Sequence, residues 1–354
     1  MSSLASLLIT RAVTPTIVTA SQSFSLEWLL ESAKLWREEY RHLKNKPLAL
    51  IYTNSASFSV GLLAFDGFCS DLYLCSEELA ESIEPGYQQL SITISSVSEQ
   101  HIKQSKRATK LVQASSNLAG QTHTHTIATR WWLASSGTSG QPKWFSHSLA
   151  SLTLSTKASP ALSALCWANL YQVYRYAGLQ VLLQALTSGA TLVDGSSEDL
   201  ILNVKHYATA RVSALSATPS MWRQMLMTNQ LLSLPLQRIT LGGETVDQPL
   251  LDKLSELYPN ASIRHIYAST EAGVGFVVAD KLAGFPVSWL EQGVGSAQLV
   301  IDESEHLRIK PSHKLDAQLE ARIDEKGYLD TQDQVRIEGG RVFFLGRASG
   351  VINV

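Results

Sequence analysis

The chain has 354 residues, 45% hydrophobic and 17% charged, a profile of folded globular protein rather than disorder. That length exceeds what one small core organises, so two or three subdomains are expected. The 29 Lys and Arg against 31 Asp and Glu leave a formal charge of −2 with no basic run. Nucleic acid is therefore disfavoured as the main partner, because phosphate-backbone binding needs a concentrated cationic face.

The N-terminal MSSLASLLITRAV holds a short apolar stretch that Arg11 interrupts and no positive region precedes, so it reads as mature sequence. No apolar run approaches the roughly 18 residues that a membrane-spanning helix requires. Apolar residues at helical spacing over 24–43 predict a helix, with Ser25 placed as its cap. PLALIYT (47–53) reads as a buried strand and FSVGLLAFDGF as the next helix. The cysteines Cys69, Cys75 and Cys166 are odd in number and lack CxxC spacing, which argues against a disulfide framework or zinc site and fits a reducing cytoplasm. His123 and His125, at strand spacing, turn both rings to one face, yet no third metal ligand accompanies them.

HTHTIATRWWLASS predicts a strand that runs into a loop, and SLASLTLSTKAS beyond the loop predicts a helix. GLQVLLQALTSGATLVDG predicts a helix ending at Gly189 and then a strand. RVSALSATPSMWRQML and QRITLGGETVDQPLLDKLSELYP repeat strand, turn and helix, the pattern of a mostly parallel sheet covered on both faces. From about residue 290 the segments AQLVID, HLRIKP, AQLEARID and RVFFLG predict short strands of a smaller antiparallel β module. The expected organisation is α/β over about 1–289, a small β subdomain over about 290–346, and the start of a hinge over 347–354.

The loop lies in WWLASSGTSGQPKWFSHS (131–148). A Walker loop needs glycine directly before its lysine, where Pro142 stands, and GTSG does not supply the G-x-S-x-G of a nucleophile elbow. What remains is a loop of Ser135, Ser136, Thr138 and Ser139, punctuated by Gly137 and Gly140 and closed by Lys143. Glycines let backbone N–H groups approach an anion, hydroxyls add donors, and the ammonium adds compact positive charge. Such a loop can cradle a polyphosphate; the alternative is a solvated Ser/Gly connection.

SSGTSGQPKW resembles the phosphate-binding signature of the AMP-forming acyl- and aryl-acid ligases, with Ser139 for a threonine and Trp144 for a glycine. Further segments resemble that family's motifs in order. They are ATPSMW (217–222), LGGETV (241–246), IYASTEAG (266–273, Ala268 for glycine), GYLDTQDQV (327–335, Gln332 for glycine) and FFLGRASGVINV (343–354). The resemblance covers 131–354; the first 130 residues share only the α/β texture. It implies an adenylate-forming large domain of two α/β layered subdomains and a small antiparallel β-barrel-like one.

By that resemblance the chain uses ATP and Mg2+ to turn a carboxylic acid into an acyl-adenylate. Thr138, Ser139 and Lys143 would hold the β- and γ-phosphates, with Ser135, Ser136, Gly137 and Gly140 completing the loop. Gly242, Gly243 and Glu244 would lie beside the adenine, Tyr267 would stack near it, and Ala268 and Ser269 would line the same segment. Thr270 would contact the α-phosphate, Glu271 and Thr138 would hold Mg2+, Asp333 would accept the ribose hydroxyls, and Arg347 would support ribose or phosphate. Each has a competitor: Glu271 as a helix cap, Asp333 as the end of a turn, Arg347 as a surface ion pair.

CWANLYQVYRYAGLQ (166–180) aligns with the family's acyl-pocket segment, which assigns Tyr174, Arg175, Gly178 and Ala268 to the substrate. Arg175 stands where relatives carry histidine. It attracts or gates the substrate carboxylate, binds a second acidic group, or pairs with an acidic neighbour; the residues leave these open. The methyl of Ala268 favours a small or aryl acid over a long fatty acid, and no aspartate for an amino-acid ammonium is visible. The acceptor would be the thiol of coenzyme A or of a carrier protein, and the location cytoplasmic. Relatives continue past this point into a lysine-bearing C-terminal domain, so weak turnover by this chain is expected. A module that only binds nucleotide or acyl-adenylate is the alternative.

Overall fold

The computed structural model describes residues 3–83, 88–91, 127–135, 142–195, 199–228, 230–271, 273–295, 297–310 and 317–347. Ser25 caps the first long helix by accepting the Trp28 N–H at 3.3 Å. That helix runs Leu26–Glu39, and the residues expected to begin it form a strand instead. The helix Ser55–Phe65 is buried along its whole length, which explains its unbroken small and apolar sequence. Charge complements its dipole at both ends. The Asp194 carboxylate accepts the Ser55 N–H at 2.7 Å, while the Arg37 guanidinium donates to the carbonyls of Ala64 and Leu63 at 2.7 and 3.2 Å.

In chain order the strands are β1 (Thr16–Val18), β2 (Ser23–Ser25), β3 (Pro47–Ile51), β4 (Asp71–Cys75), β5 (Gln88–Ser91), β6 (Arg130–Ser135) and β7 (Lys143–His147). Then come β8 (Cys166–Asn169), β9 (Thr191–Asp194), β10 (Ala214–Ala217), β11 (Arg238–Gly242), β12 (Ser262–Ser269) and β13 (Gly273–Val278). There follow β14 (Phe285–Pro286), β15 (Gln298–Ile301), β16 (His306–Lys310), β17 (Leu329–Glu338) and β18 (Arg341–Arg347).

One sheet has the order β13-β12-β11-β10-β8-β9-β1-β2 and is parallel except at its two edge strands. A second, β5-β3-β4-β6-β7, is parallel except at β7. The main core lies between these sheets, around the helices Leu26–Glu39, Ser55–Phe65 and Tyr176–Ser188. The helices Leu200–Thr209, Pro219–Leu226 and Gln248–Leu257 cover the opposite face of the larger sheet. Helix Tyr176–Ser188 ends at Gly189, whose φ of 77° makes the left-handed cap that glycine adopts most readily.

The third sheet, β14-β18-β17-β16-β15, is antiparallel and has its own apolar cluster. AQLEARID, expected to be a strand, instead contains the short helix Ala317–Glu320. Leu319 and Ile323 pack with Phe145 and Leu329. Ile323 lies beyond that helix and bridges Leu329, so the segment is a helical turn followed by a single bridge rather than one strand. Among the described residues no helix is long and apolar enough to cross a membrane.

Candidate active site

Ser135 ends β6 and pairs with Lys143, which begins β7, so the glycine-punctuated segment joins two hydrogen-bonded strands. Ser136, Gly137, Thr138, Ser139 and Gly140 lie outside the described residues, as do His123 and His125. Lys143 is exposed. Trp144 anchors the far strand: its indole donates to Ser82 at 3.3 Å and meets the Tyr73 ring edge-on at 5.2 Å. The pleat turns His147 inward four residues beyond Lys143, where its Nε2 lies 2.8 Å from the Thr270 carbonyl oxygen. Sequence reasoning missed His147. The available signal was a histidine on the same strand face as the lysine.

Thr270 and Glu271 occupy the turn between the antiparallel strands β12 and β13, in which Ser269 pairs with Gly273. The helix-cap alternative for Glu271 therefore falls away. Glu271 is half-exposed, and among the described residues no cation pairs with it. The register shifts between Tyr267 and Ala268, and Ala268 packs against the main core. Tyr176, at the start of helix Tyr176–Ser188, reaches the same place: it hydrogen-bonds the Val274 backbone and its ring lies 5.7 Å from that of His147.

Asp333 on β17 and Arg347 on β18 are cross-strand partners, with Arg347 Nε 3.3 Å from Asp333 Oδ1. The Tyr267 hydroxyl donates to the other carboxylate oxygen. The Tyr267 ring, expected beside an adenine, lies near-parallel to Phe344, 4.9 Å away, and to Phe276 at 5.1 Å. Those aromatic neighbours hold it as a support for Asp333. Burial raises the Asp333 pKa most; hydrogen bonding to Tyr267 and the Arg347 charge oppose the rise, and Glu271 adds to it. Glu271 and Asp333 thus share one electrostatic neighbourhood.

Gln332 precedes Asp333 with φ of +62°, so the position where relatives carry glycine demands left-handed backbone here too. Gly242 ends β11, and Gly243 turns the chain with φ of +85°. The Glu244 carboxylate accepts the Ser220 N–H at 2.9 Å and its hydroxyl at 2.7 Å, at the start of helix Pro219–Leu226. Glu244 therefore serves that helix N-terminus.

Arg175 precedes helix Tyr176–Ser188 and donates through Nη1 to the Ala134 carbonyl at 2.8 Å, with its guanidinium 5.9 Å from the Tyr174 ring centroid. Among the described residues no carboxylate pairs with it, so the acidic-neighbour alternative gains no support. Gly178 has a packing reason: a Cβ there would stand 2.3 Å from the Gln172 carbonyl oxygen. The described site thus joins the Ser135–Lys143 hairpin, the Thr270–Glu271 turn and the Asp333–Arg347 pair. It offers cations for phosphate, carboxylates for a metal and for hydroxyls, and an arginine beside the hairpin.

Residues 70–305 match the family model described as AMP-binding enzyme. Tyrocidine synthase 3 from Brevibacillus parabrevis is 33% identical over 91 residues, which is 25% of this chain and 1% of that protein's length. The Klebsiella oxytoca NpsA N-terminal subdomain in complex with 3-hydroxybenzoyl-AMSN is a structural neighbour with TM-score 0.70 and 14% identity, covering 98% of this chain and all of that one. The inhibitor-bound N-terminal domain of FACL13 from Mycobacterium tuberculosis has the same TM-score, identity and coverage. At that identity the likeness speaks for the fold, an adenylate-forming N-terminal domain, while the sequence match spans most of the chain and encloses the hairpin and the Thr270–Glu271 turn. On these grounds the chain belongs to the AMP-binding enzyme family.

Proposed function

We propose that this protein activates a small or aryl carboxylic acid as its acyl-adenylate, releasing pyrophosphate, for transfer to the thiol of coenzyme A or of carrier-protein pantetheine. The observation that carries the reading is the contact between His147 Nε2 and the Thr270 carbonyl, 2.8 Å apart. It ties the strand that bears Lys143 to the turn that bears Thr270 and Glu271.

A free carboxylate resists substitution because its leaving group would be an oxide; as a mixed anhydride with AMP it leaves behind a phosphate monoester. The attack brings two anions together, so catalysis rests on positioning and charge neutralisation. Lys143, with Thr138 and Ser139, holds the β- and γ-phosphates, and Thr270 meets the α-phosphate. Glu271 suits a hard divalent cation; Mg2+ held by Glu271 and Thr138 would neutralise phosphate charge when bound. Asp333, steadied by Tyr267 and Arg347, accepts the ribose hydroxyls. Arg175, free of any carboxylate among the described residues, attracts the acid substrate toward the hairpin. The free thiols Cys69, Cys75 and Cys166 fit a cytoplasmic location.

A second reading, a module that binds nucleotide or acyl-adenylate without turnover, is favoured by the engagement of both Asp333 oxygens within the protein. Acid-dependent ATP–pyrophosphate exchange separates the two. The enzymatic reading expects exchange elicited by small or aryl acids and reduced at least about 100-fold in Lys143→Ala. Nucleotide binding with no exchange for any acid supports the second.

A further inference from the structure

Between β8 and β10 the winding of the larger sheet reverses, since β9 is added on one side of β8 and β10 on the other. Open α/β sheets take their ligands outside the carboxyl ends of the strands at such a point. Here the three strands change character together. On the face turned to the main core, β8 runs from Trp167 to Asn169, β9 from Leu192 to Asp194, and β10 from Ala214 to Ser216. Each apolar residue belongs to that core, and each strand then turns polar two residues later. Ser216, Asn169 and Asp194 are in register across the parallel strands, so their side chains lie side by side on one face. All three are only 6–7% exposed.

Strands buried on both faces are normally apolar throughout, so the row requires partners. Asp194 receives the Ser55 N–H and hydroxyl, one on each oxygen. Ser216 is hydrogen-bonded to the Tyr171 phenol. Asn169 Oδ1 accepts the Tyr171 N–H at 3.2 Å. The Asn169 Nδ2 group, buried and carrying two N–H donors, has no partner among the described residues. A chain of contacts leads from the row toward the phosphate hairpin. The Tyr52 hydroxyl bonds Ser55, its ring lies 5.8 Å from Tyr174, and the adjacent Arg175 is bonded to Ala134 in β6.

We propose that this row is the far wall of the acyl pocket and selects a hydroxylated carboxylic acid, whose remote hydroxyl accepts from Asn169 Nδ2 and donates to Asp194. A hydroxyl is the small group that both accepts and donates, matching an amide donor beside a carboxylate with lone pairs to spare. The proposal rests on the acid-activating reading and narrows its substrate class.

The test is ATP–pyrophosphate exchange with matched acids: the three hydroxybenzoates against benzoate, and ω-hydroxy aliphatic acids against their parents. At least one hydroxylated acid should exceed its parent by about 10-fold or more in kcat/KM, because a site built for a hydroxyl rejects the analogue lacking it. In Asn169→Leu that ratio should fall toward one. The wild-type comparison needs no variant, so a misfolded Asn169→Leu leaves the proposal exposed to refutation. Parents equal to or better than every hydroxylated acid overturn it, as does a preference that survives in folded Asn169→Leu. Exchange with none of the acids defeats the acid-activating reading itself.

Discussion

In an Asp194→Asn variant the pH dependence of stability changes by an amount that the carboxylate's surroundings set. Asp194 is buried at the end of β9, and burial raises its pKa from 3.8 to about 6 despite the two hydrogen bonds from Ser55. A folded-state pKa above the unfolded one means that the native protein takes up this proton first. The stabilisation is fully present below the unfolded value and is lost as pH rises through the folded one. The shift corresponds to about 3 kcal/mol in total, of which about 2 kcal/mol falls between about pH 7.5 and about pH 4.5. Asparagine keeps an oxygen for the Ser55 N–H and does not titrate. Urea unfolding of both proteins at each pH isolates this site, since other titrating groups cancel in the difference. The variant's stability relative to wild type should therefore be about 2 kcal/mol greater near pH 7.5 than near pH 4.5. A difference flat with pH, or one that grows toward acid, refutes the reasoning.

Gln332 bears a left-handed backbone, so Gln332→Gly should stabilise by about 0.5–1 kcal/mol and Gln332→Val should destabilise, the two straddling wild type in urea midpoint. Tyr267→Phe keeps the aromatic packing but removes the donor to Asp333, which should lower stability by about 2 kcal/mol at neutral pH. Because the Asp333 pKa is raised, that deficit should narrow as pH falls and the carboxyl takes up a proton, again by urea titration. Gly178→Ala would drive a methyl against the Gln172 carbonyl, with 2.3 Å available, and should cost about 2–3 kcal/mol in chemical denaturation.

Several features were legible because they depend on chemistry within a few residues. The Ser25 cap, the Gly189 helix end and the alternation of strands and helices follow from hydrogen bonding and periodicity along the chain. The strand leading into the glycine-punctuated segment was legible too, and Ser135 and Lys143 pair across that segment. Local pattern failed where one spacing serves two structures, as in AQLEARID, where a helix over Ala317–Glu320 and a single bridge at Ile323 stand in place of a strand.

The amino-acid sequence by itself determined the family and the order of the motifs. Only the tertiary structure decided which groups meet. Tyr267 and Asp333 are 66 residues apart, His147 and Thr270 are 123, and Ser55 and Asp194 are 139. The polar row of Ser216, Asn169 and Asp194 exists because parallel register sets three strand ends level. The physical reason is range. Caps and periodicity act over one or two turns of chain, whereas a site assembled from several strand ends depends on how sheets pair and pack, which no local pattern encodes.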